Sequence, residues 1–269
     1  MTVAICTFVI LAALYMFLIM PRITTRPMHE FKGWYYAHRG FHDNKTDAPE
    51  NSAKAMRLAV EHGYGIELDV QLTKDEKVVV FHDATLKRVC GVDAKVNSMT
   101  YEELKQLRLL DSDEKIPLFS DVLKIIDGKV PLIMEVKMVD AKTRVCELAN
   151  KELENYKGIY CMESFHPFAV NWYRKNRPDV VRGQLSANFK IEGQKEGFQE
   201  WLVHMLLTNV LARPDFVAYS HKSAENISRR LTRTYGATAV AWTIRSQKEL
   251  DKNRKKFDLF IFEGFVPKE

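Results

Sequence analysis

A chain of 269 residues, 46% of them hydrophobic and 28% charged, can bury one large core or two small ones, which excludes global disorder. The net charge of +5 suits anionic lipid or phosphate-bearing substrates but is too modest to mark a nucleic-acid binder. Of four cysteines, Cys6 sits in an apolar run and Cys90, Cys146 and Cys161 form no CxxC pair. They read as free thiols in a reducing compartment, not as a zinc site or a disulfide framework.

Residues 3–20, VAICTFVILAALYMFLIM, carry no charge. A run of that length, at ~1.5 Å per residue, nearly crosses a ~30 Å hydrocarbon core. No Lys or Arg precedes Pro21 and the exit reads LIMPRI, so a retained single-pass anchor over 1–21 is expected rather than a cleaved signal. Arg22, Arg26 and Lys32 all follow the run, which favours the cytoplasmic side of the cell membrane for the rest of the chain, with the extracellular side as the alternative.

After a polar linker at 22–32, strand-like and helix-like pieces alternate. WYYAH at 34–38 is β-prone, 51–63 has helical spacing with a Gly stop, and GIELDVQ at 65–71 and KVVVFHD at 77–83 read as strands. Thr100 and Glu103 form a capping box that predicts a helix to about Leu110, and another helix is predicted from Ser120 to Gly128. Strands follow at 130–137, 158–165, 180–185, 215–219, 238–244 and 258–262, with helices between, among them 141–156 and 168–176. Eight strands linked by crossovers imply a parallel sheet, and over residues 33–269 a closed (β/α)8 TIM barrel fits best. The stretch 73–118 is too long for one loop and is expected to be an insertion after the second strand.

In such a barrel chemistry belongs at the C-terminal strand ends. His38 and Arg39 end the first strand. Glu67 and Asp69, two apart, point the same way from the second, and Glu135 and Lys137 repeat that spacing. His82 follows the apolar VVVF run. Converging carboxylates repel unless a cation sits among them, and oxygen ligands suit Mg²⁺ or Ca²⁺. The two histidines are left to move protons, and Arg39 and Lys137 to meet a phosphate. The set reads as cation-assisted attack on a phosphodiester.

The ordered string AHRG…PENS…GIELDVQLTKDEKVVVFHDATLKRVCG…EVK…SFHP…AWTI resembles the glycerophosphodiester phosphodiesterase family, in a membrane-anchored bacterial form. The resemblance runs from about Tyr36 to the C-terminus and implies a (β/α)8 barrel with a small insertion. It implies Glu67, Asp69 and Glu135 as metal ligands, His38 and His82 as the acid/base pair, and Arg39 and Lys137 as phosphate contacts. Glu50 in PENS matches a position beside the metal, either a ligand, an orienting neighbour or a plain loop acid. Trp242 and Phe165 match the wall of a substrate pocket, and His166 reads as structural.

The implied reaction is metal-dependent hydrolysis to an alcohol and sn-glycerol 3-phosphate through a cyclic phosphate, with His38 as base and His82 as acid or the reverse. Lysophospholipids are the alternative substrate, by lysophospholipase D-type cleavage. Other barrel phosphodiesterases are the nearest rival reading, and a non-catalytic phosphodiester-binding membrane protein is the remoter one. Three departures stand out from the family pattern: the long FHDNKTDA segment, Arg245 where Asn is frequent, and IFEGF where an Asp-containing turn is usual. They are expected around the pocket rather than on the histidines or the metal.

Overall fold

Nine strands form one sheet, in a computed structural model that describes residues 1–23, 28–139 and 141–268. Arg26, one of the basic residues flanking the apolar run, lies outside the described residues. The strands are β1 (Tyr35–His38), β2 (Gly65–Leu72), β3 (Val78–Val80), β4 (Leu132–Val136), β5 (Tyr160–Ser164), β6 (Val181–Ser186), β7 (Phe216–Ser220), β8 (Thr238–Ile244) and β9 (Leu259–Phe262). All but β3 pair in parallel, and β1 pairs with both β9 and β2, so eight strands close into a barrel. This is the architecture of a (β/α)8 barrel. The C-terminal strand ends form its mouth and the N-terminal ends its foot.

Strand alternation sorts the side chains into two populations. Ile66, Leu68 and Val70 of β2, with Leu132, Met134 and Val136 of β4, face the helices in the outer core. Tyr36, Ile133, Cys161, Phe216, Val240 and Ile261 fill the inside near the foot, which Met28 and Phe31 close from below. Two glycines give the rings room there: a Cβ on Gly183 would come 2.1 Å from the Phe216 ring, and one on Gly65 2.7 Å from Tyr36.

The helix predicted at 51–63 spans Ala53–Glu61, with Ser52 Oγ accepting from Ala55 N at 3.0 Å as its N-cap. The insertion differs from its sequence pattern in one respect. Thr100 and Glu103 do make the capping box, but the helix stops after Tyr101–Leu104. Leu104, Leu109 and Ile116 are drawn into a separate small core with Val79, Phe81 and Val89. Arg108 bridges antiparallel to Lys115, so the chain must turn before a second helical turn can form. Tertiary burial overrides helix propensity. β3 runs antiparallel to the end of β2, Val70 opposite Val80, and so ties the insertion to the mouth.

Gly183→Ala is expected to lower stability by about 1–3 kcal/mol, because the Phe216 ring has to leave its packed position. Urea denaturation checks this, and an unchanged midpoint would mean that the ring shifts without cost.

Candidate active site

β2 supplies the floor of the mouth. Glu67, Asp69 and Gln71 lie at alternate positions and all three are buried. Glu135 is the register partner of Asp69 on β4, so strand pairing alone sets these acids side by side. One carboxylate oxygen from each of Glu67, Asp69 and Glu135 lies within 4.8 Å of the others. Lys137, two residues beyond Glu135, places Nζ 2.7 Å from Glu135 and 3.0 Å from Asp69.

The end of β1 is shaped by a turn. Arg39 and Gly40 take φ of 56° and 80°, and a Cβ on Gly40 would sit 2.9 Å from the Ala55 carbonyl carbon. Glycine is therefore required by both its backbone and its surroundings. The turn aims the Arg39 N–H at Glu67 Oε2 (3.1 Å) and its guanidinium at Glu50 Oε1 (2.6 Å) and Asp69 Oδ2 (3.6 Å). Asn51, also at positive φ, donates from Nδ2 to Asp69 Oδ2 at 2.9 Å.

Burial and mutual repulsion pull the acids apart in acidity. Burial raises the Glu67 carboxyl well above its ordinary range, and Asp69, Glu135 and Glu163 raise it further. Glu135 is also raised, first by burial and then by Asp69, against the pull of Lys137. Asp69 goes the other way: burial opposes its charge, but Lys137, His82, Arg39 and the Asn51 hydrogen bond hold it well below the carboxylate range. The same acids hold the Lys137 ammonium above its ordinary value in spite of burial.

Such a set fits a hard divalent cation. Its donors are all oxygens, it is buried, and negative charge exceeds what Arg39 and Lys137 balance. Asn51 Oδ1 is also buried with no hydrogen-bond partner, a further neutral oxygen beside Asp69. Glu50 stands outside the three clustered acids. Its oxygens are taken by Arg39, by Asn44 Nδ2 at 2.8 Å and by Arg88, whose NH1 and NH2 each lie 2.7 Å away. These partners outweigh burial and lower its pKa to about 2.

The two histidines are braced alike. His38 Nδ1 lies 2.5 Å from Glu263 Oε2, and Glu263 Oε1 accepts from Arg245 Nε at 2.7 Å. His82 Nδ1 lies 2.7 Å from Asp83 Oδ1, and Asp83 Oδ2 accepts from Arg88 Nε at 2.7 Å. A carboxylate on Nδ1 selects the tautomer that keeps the lone pair on Nε2. His38 Nε2 is 3.9 Å from Glu67, while His82 acts electrostatically on Asp69 and Glu135. Burial lowers the His38 pKa to about 4, only partly offset by Glu263. Gln71 Nε2 fixes the His82 segment, reaching the carbonyls of Phe81 (2.7 Å), His82 (3.0 Å) and Asp83 (2.9 Å).

An aromatic wall stands across the mouth. Phe165 meets Trp242 edge-on at 5.5 Å and Phe189 at 5.9 Å, and the Trp242 indole N–H is buried without a hydrogen-bond partner. His166 caps the helix Pro167–Asn176, Nδ1 accepting from Phe168 N at 3.3 Å.

The glycerophosphoryl diester phosphodiesterase family model matches residues 38–259. The chain belongs to that family. It is 31% identical over 163 residues to a glycerophosphodiester phosphodiesterase of Bacillus altitudinis, the match covering 56% of this chain and 65% of that one. To one of Caldanaerobacter subterraneus it is 41% identical over 160 residues, covering 55% and 65%. The match thus spans just under two thirds of the length of these bacterial relatives. The fold matches a phosphodiesterase of Oleispira antarctica, solved in complex with the product sn-glycerol-3-phosphate, with a TM-score of 0.71 at 22% identity over 87% of this chain and 94% of that one.

The family pattern points to the acids, histidines and basic residues that the fold gathers here, but it misplaces the departures. Arg245 and Glu263 do not merely border the pocket: they pair with each other and Glu263 grips His38. Sequence reasoning missed this because the two lie far from His38 along the chain, at the ends of β8 and β9. Asn51, Asp83, Arg88 and Gln71 were missed as well. Glu163 was another miss, although its spacing on β5 repeats that of Glu135, its register partner. It is buried with Oε2 unpartnered, and burial with Glu135 nearby keeps its carboxyl well above the ordinary range.

The raised acids give a test. Glu67, Glu135 and Glu163 bind protons more readily folded than unfolded, so their contribution to stability falls as pH climbs from the ordinary carboxylate range through their folded pKa values. A divalent cation should counter that loss. Excess Mg²⁺ or Ca²⁺ is expected to raise the Tm more at pH 8 than at pH 5, the stabilisation being about 2.7 kcal/mol at 100 times Kd. A chelator should reverse the shift and Glu67→Gln should blunt it. A Tm indifferent to either ion would remove the cation site.

Proposed function

We propose that this chain hydrolyses glycerophosphodiesters to an alcohol and sn-glycerol 3-phosphate. The observation that carries the reading is the pair of carboxylate-braced imidazoles beside three buried acids, in a chain of this family. Glu67, Asp69 and Glu135 would hold a divalent cation, with Asn51 beside them. When bound, it supplies Lewis-acid charge that lowers the barrier to forming an alkoxide and a crowded phosphorus.

The chain's own groups do the rest. Arg39 and Lys137, already aimed into the acid cluster, neutralise phosphate oxygens. Neutral His38, its Nε2 lone pair open to the mouth, takes the proton of the glycerol 2-hydroxyl as that oxygen attacks phosphorus. His82 gives its proton to the departing alkoxide. The cyclic phosphodiester is then opened by water with the two roles reversed. Glu50 holds Arg39 in place, and Phe165 and Trp242 line the pocket. A lysophospholipid carries the same diester with an acyl chain, which this apolar wall would suit.

Residues 1–21 are assigned to a single-pass anchor, 22–32 to a linker and 33–269 to the barrel with its insertion at about 73–118, the barrel on the cytoplasmic side. The apolar helix Thr2–Ile19 supports the anchor.

His38→Ala and His82→Ala should each lower turnover of glycerophosphocholine by roughly 10²–10⁴ with the fold intact by circular dichroism. Glu263→Gln leaves the imidazole in place but loosens its tautomer, and should cost ~10–100-fold in kcat with little change in KM. The assay follows sn-glycerol 3-phosphate release. Wild-type turnover in both histidine variants would refute the assignment.

A further inference from the structure

The N-terminal helix does not leave the barrel at an arbitrary angle. Tyr15 Oη lies 2.8 Å from Ser228 Oγ, in the first turn of the helix Ile227–Thr234, which starts at the mouth end after β7. Seven residues on, Arg22 N donates to the carbonyl of Pro214 at 3.0 Å. Pro214 precedes β7 at the foot, where Phe216 pairs with Thr238. Arg213 NH1 fastens the same end through the carbonyls of Phe17 and Met20, both at 2.8 Å. The first helix ends at Ile19, so Tyr15–Ile19 supplies ~6 Å of rise and Met20–Arg22 cover the rest of the way to the foot in non-helical backbone. The helix therefore lies against Ile227–Thr234 with its C-terminal end toward the foot. Traced backwards, Thr2–Leu14 continues past the mouth.

That free stretch is apolar and almost wholly exposed, yet it measures only ~20 Å against a ~30 Å hydrocarbon core. Seating it in a bilayer draws the rim of the mouth down to the interface. The rim there is built for it. Phe198 and Trp201 stack at 6.1 Å, and they are 73% and 42% exposed on the first turn of the helix that follows β6. Ile191 in the preceding loop and Ile227 beside Ser228 are exposed too. Nothing in the barrel needs these side chains in water. The same loop begins at Phe189, which touches Phe165 of the pocket wall, so apolar surface connects the exposed pair to the site. Trp at a membrane–water boundary is the expected residue.

We infer that the mouth faces the bilayer and that Phe198, Trp201, Ile191 and Ile227 form a second, interfacial contact with phospholipid beside the apolar helix. The inference rests on the reading of that helix as a bilayer anchor. It assigns the pocket to substrates arriving at the membrane surface.

The full chain is reconstituted into phosphatidylcholine–phosphatidylglycerol vesicles and floated on a density gradient, then examined by tryptophan fluorescence with lipids brominated on the acyl chain. Flotation is expected, with quenching that drops in Trp201→Phe and is unchanged in Trp34→Phe, whose ring lies near the foot. A protein that fails to float overturns the anchor and the inference with it. A protein that floats but shows equal quenching in wild type and Trp201→Phe overturns the rim contact alone. As a second measurement, iodide should quench the Trp201 contribution less on vesicles than in detergent-free solution. Equal iodide access would overturn the inference as well. Loss of hydrolysis affects neither readout, so a failure of the proposed reaction remains separable.

Discussion

Everything at the mouth of this barrel is arranged around the repulsion of carboxylates that strand pairing forces together. Asp69 and Glu135 are register partners, Glu135 and Glu163 are register partners, and Glu67 is two residues from Asp69 on the same face. No loop rearrangement can separate them without breaking the sheet. The fold answers with cations placed by equally rigid means: Lys137 on the strand that carries Glu135, and Arg39 on a turn that only Gly40 permits. Those cations settle Asp69 but leave Glu67, Glu135 and Glu163 raised. The remaining imbalance is what makes a divalent ion the natural completion of the site.

The insertion takes part in the same balance. Arg88 binds both oxygens of Glu50 and also grips Asp83, which orients His82. Glu50 in turn braces Arg39. One guanidinium thereby links the insertion, the loop after β1 and the position of a proposed proton carrier. Because Gln71 of β2 hydrogen-bonds the carbonyls around His82, the insertion is held against the barrel floor at two points.

Much of this was legible in the sequence, and the limits follow from range. Alternating apolar runs exposed all eight barrel strands because each must bury one face on helices and the other on the interior. The i, i+2 acids were legible for the same reason, since a charge in an otherwise apolar strand has to be explained by its own neighbours. The helix predicted to Leu110 was not, because its end is decided by a core that forms only when Leu104, Leu109 and Ile116 meet Val79 and Phe81. Glu263, Asp83 and Arg88 stayed silent since they act on partners brought near by barrel closure or by the insertion. Asn51 was silent because a positive-φ asparagine leading into a helix reads first as a turn residue.

The paired departures from the family pattern follow from this geometry. Glu263 has one methylene more than the usual Asp, so its carboxylate reaches further from β9 and needs lateral support to keep a single orientation on His38. Arg245 supplies that support at 2.7 Å from the other oxygen, while its own N–H is fixed by Glu249 at 2.7 Å. An Asn at 245 would be too short to make that contact, and a Glu without its Arg would swing in a largely buried space. Together the two side chains reproduce at His38 the arrangement that Asp83 and Arg88 make at His82. Removing either side chain is expected to loosen the imidazole, since Arg245 acts on His38 only through Glu263.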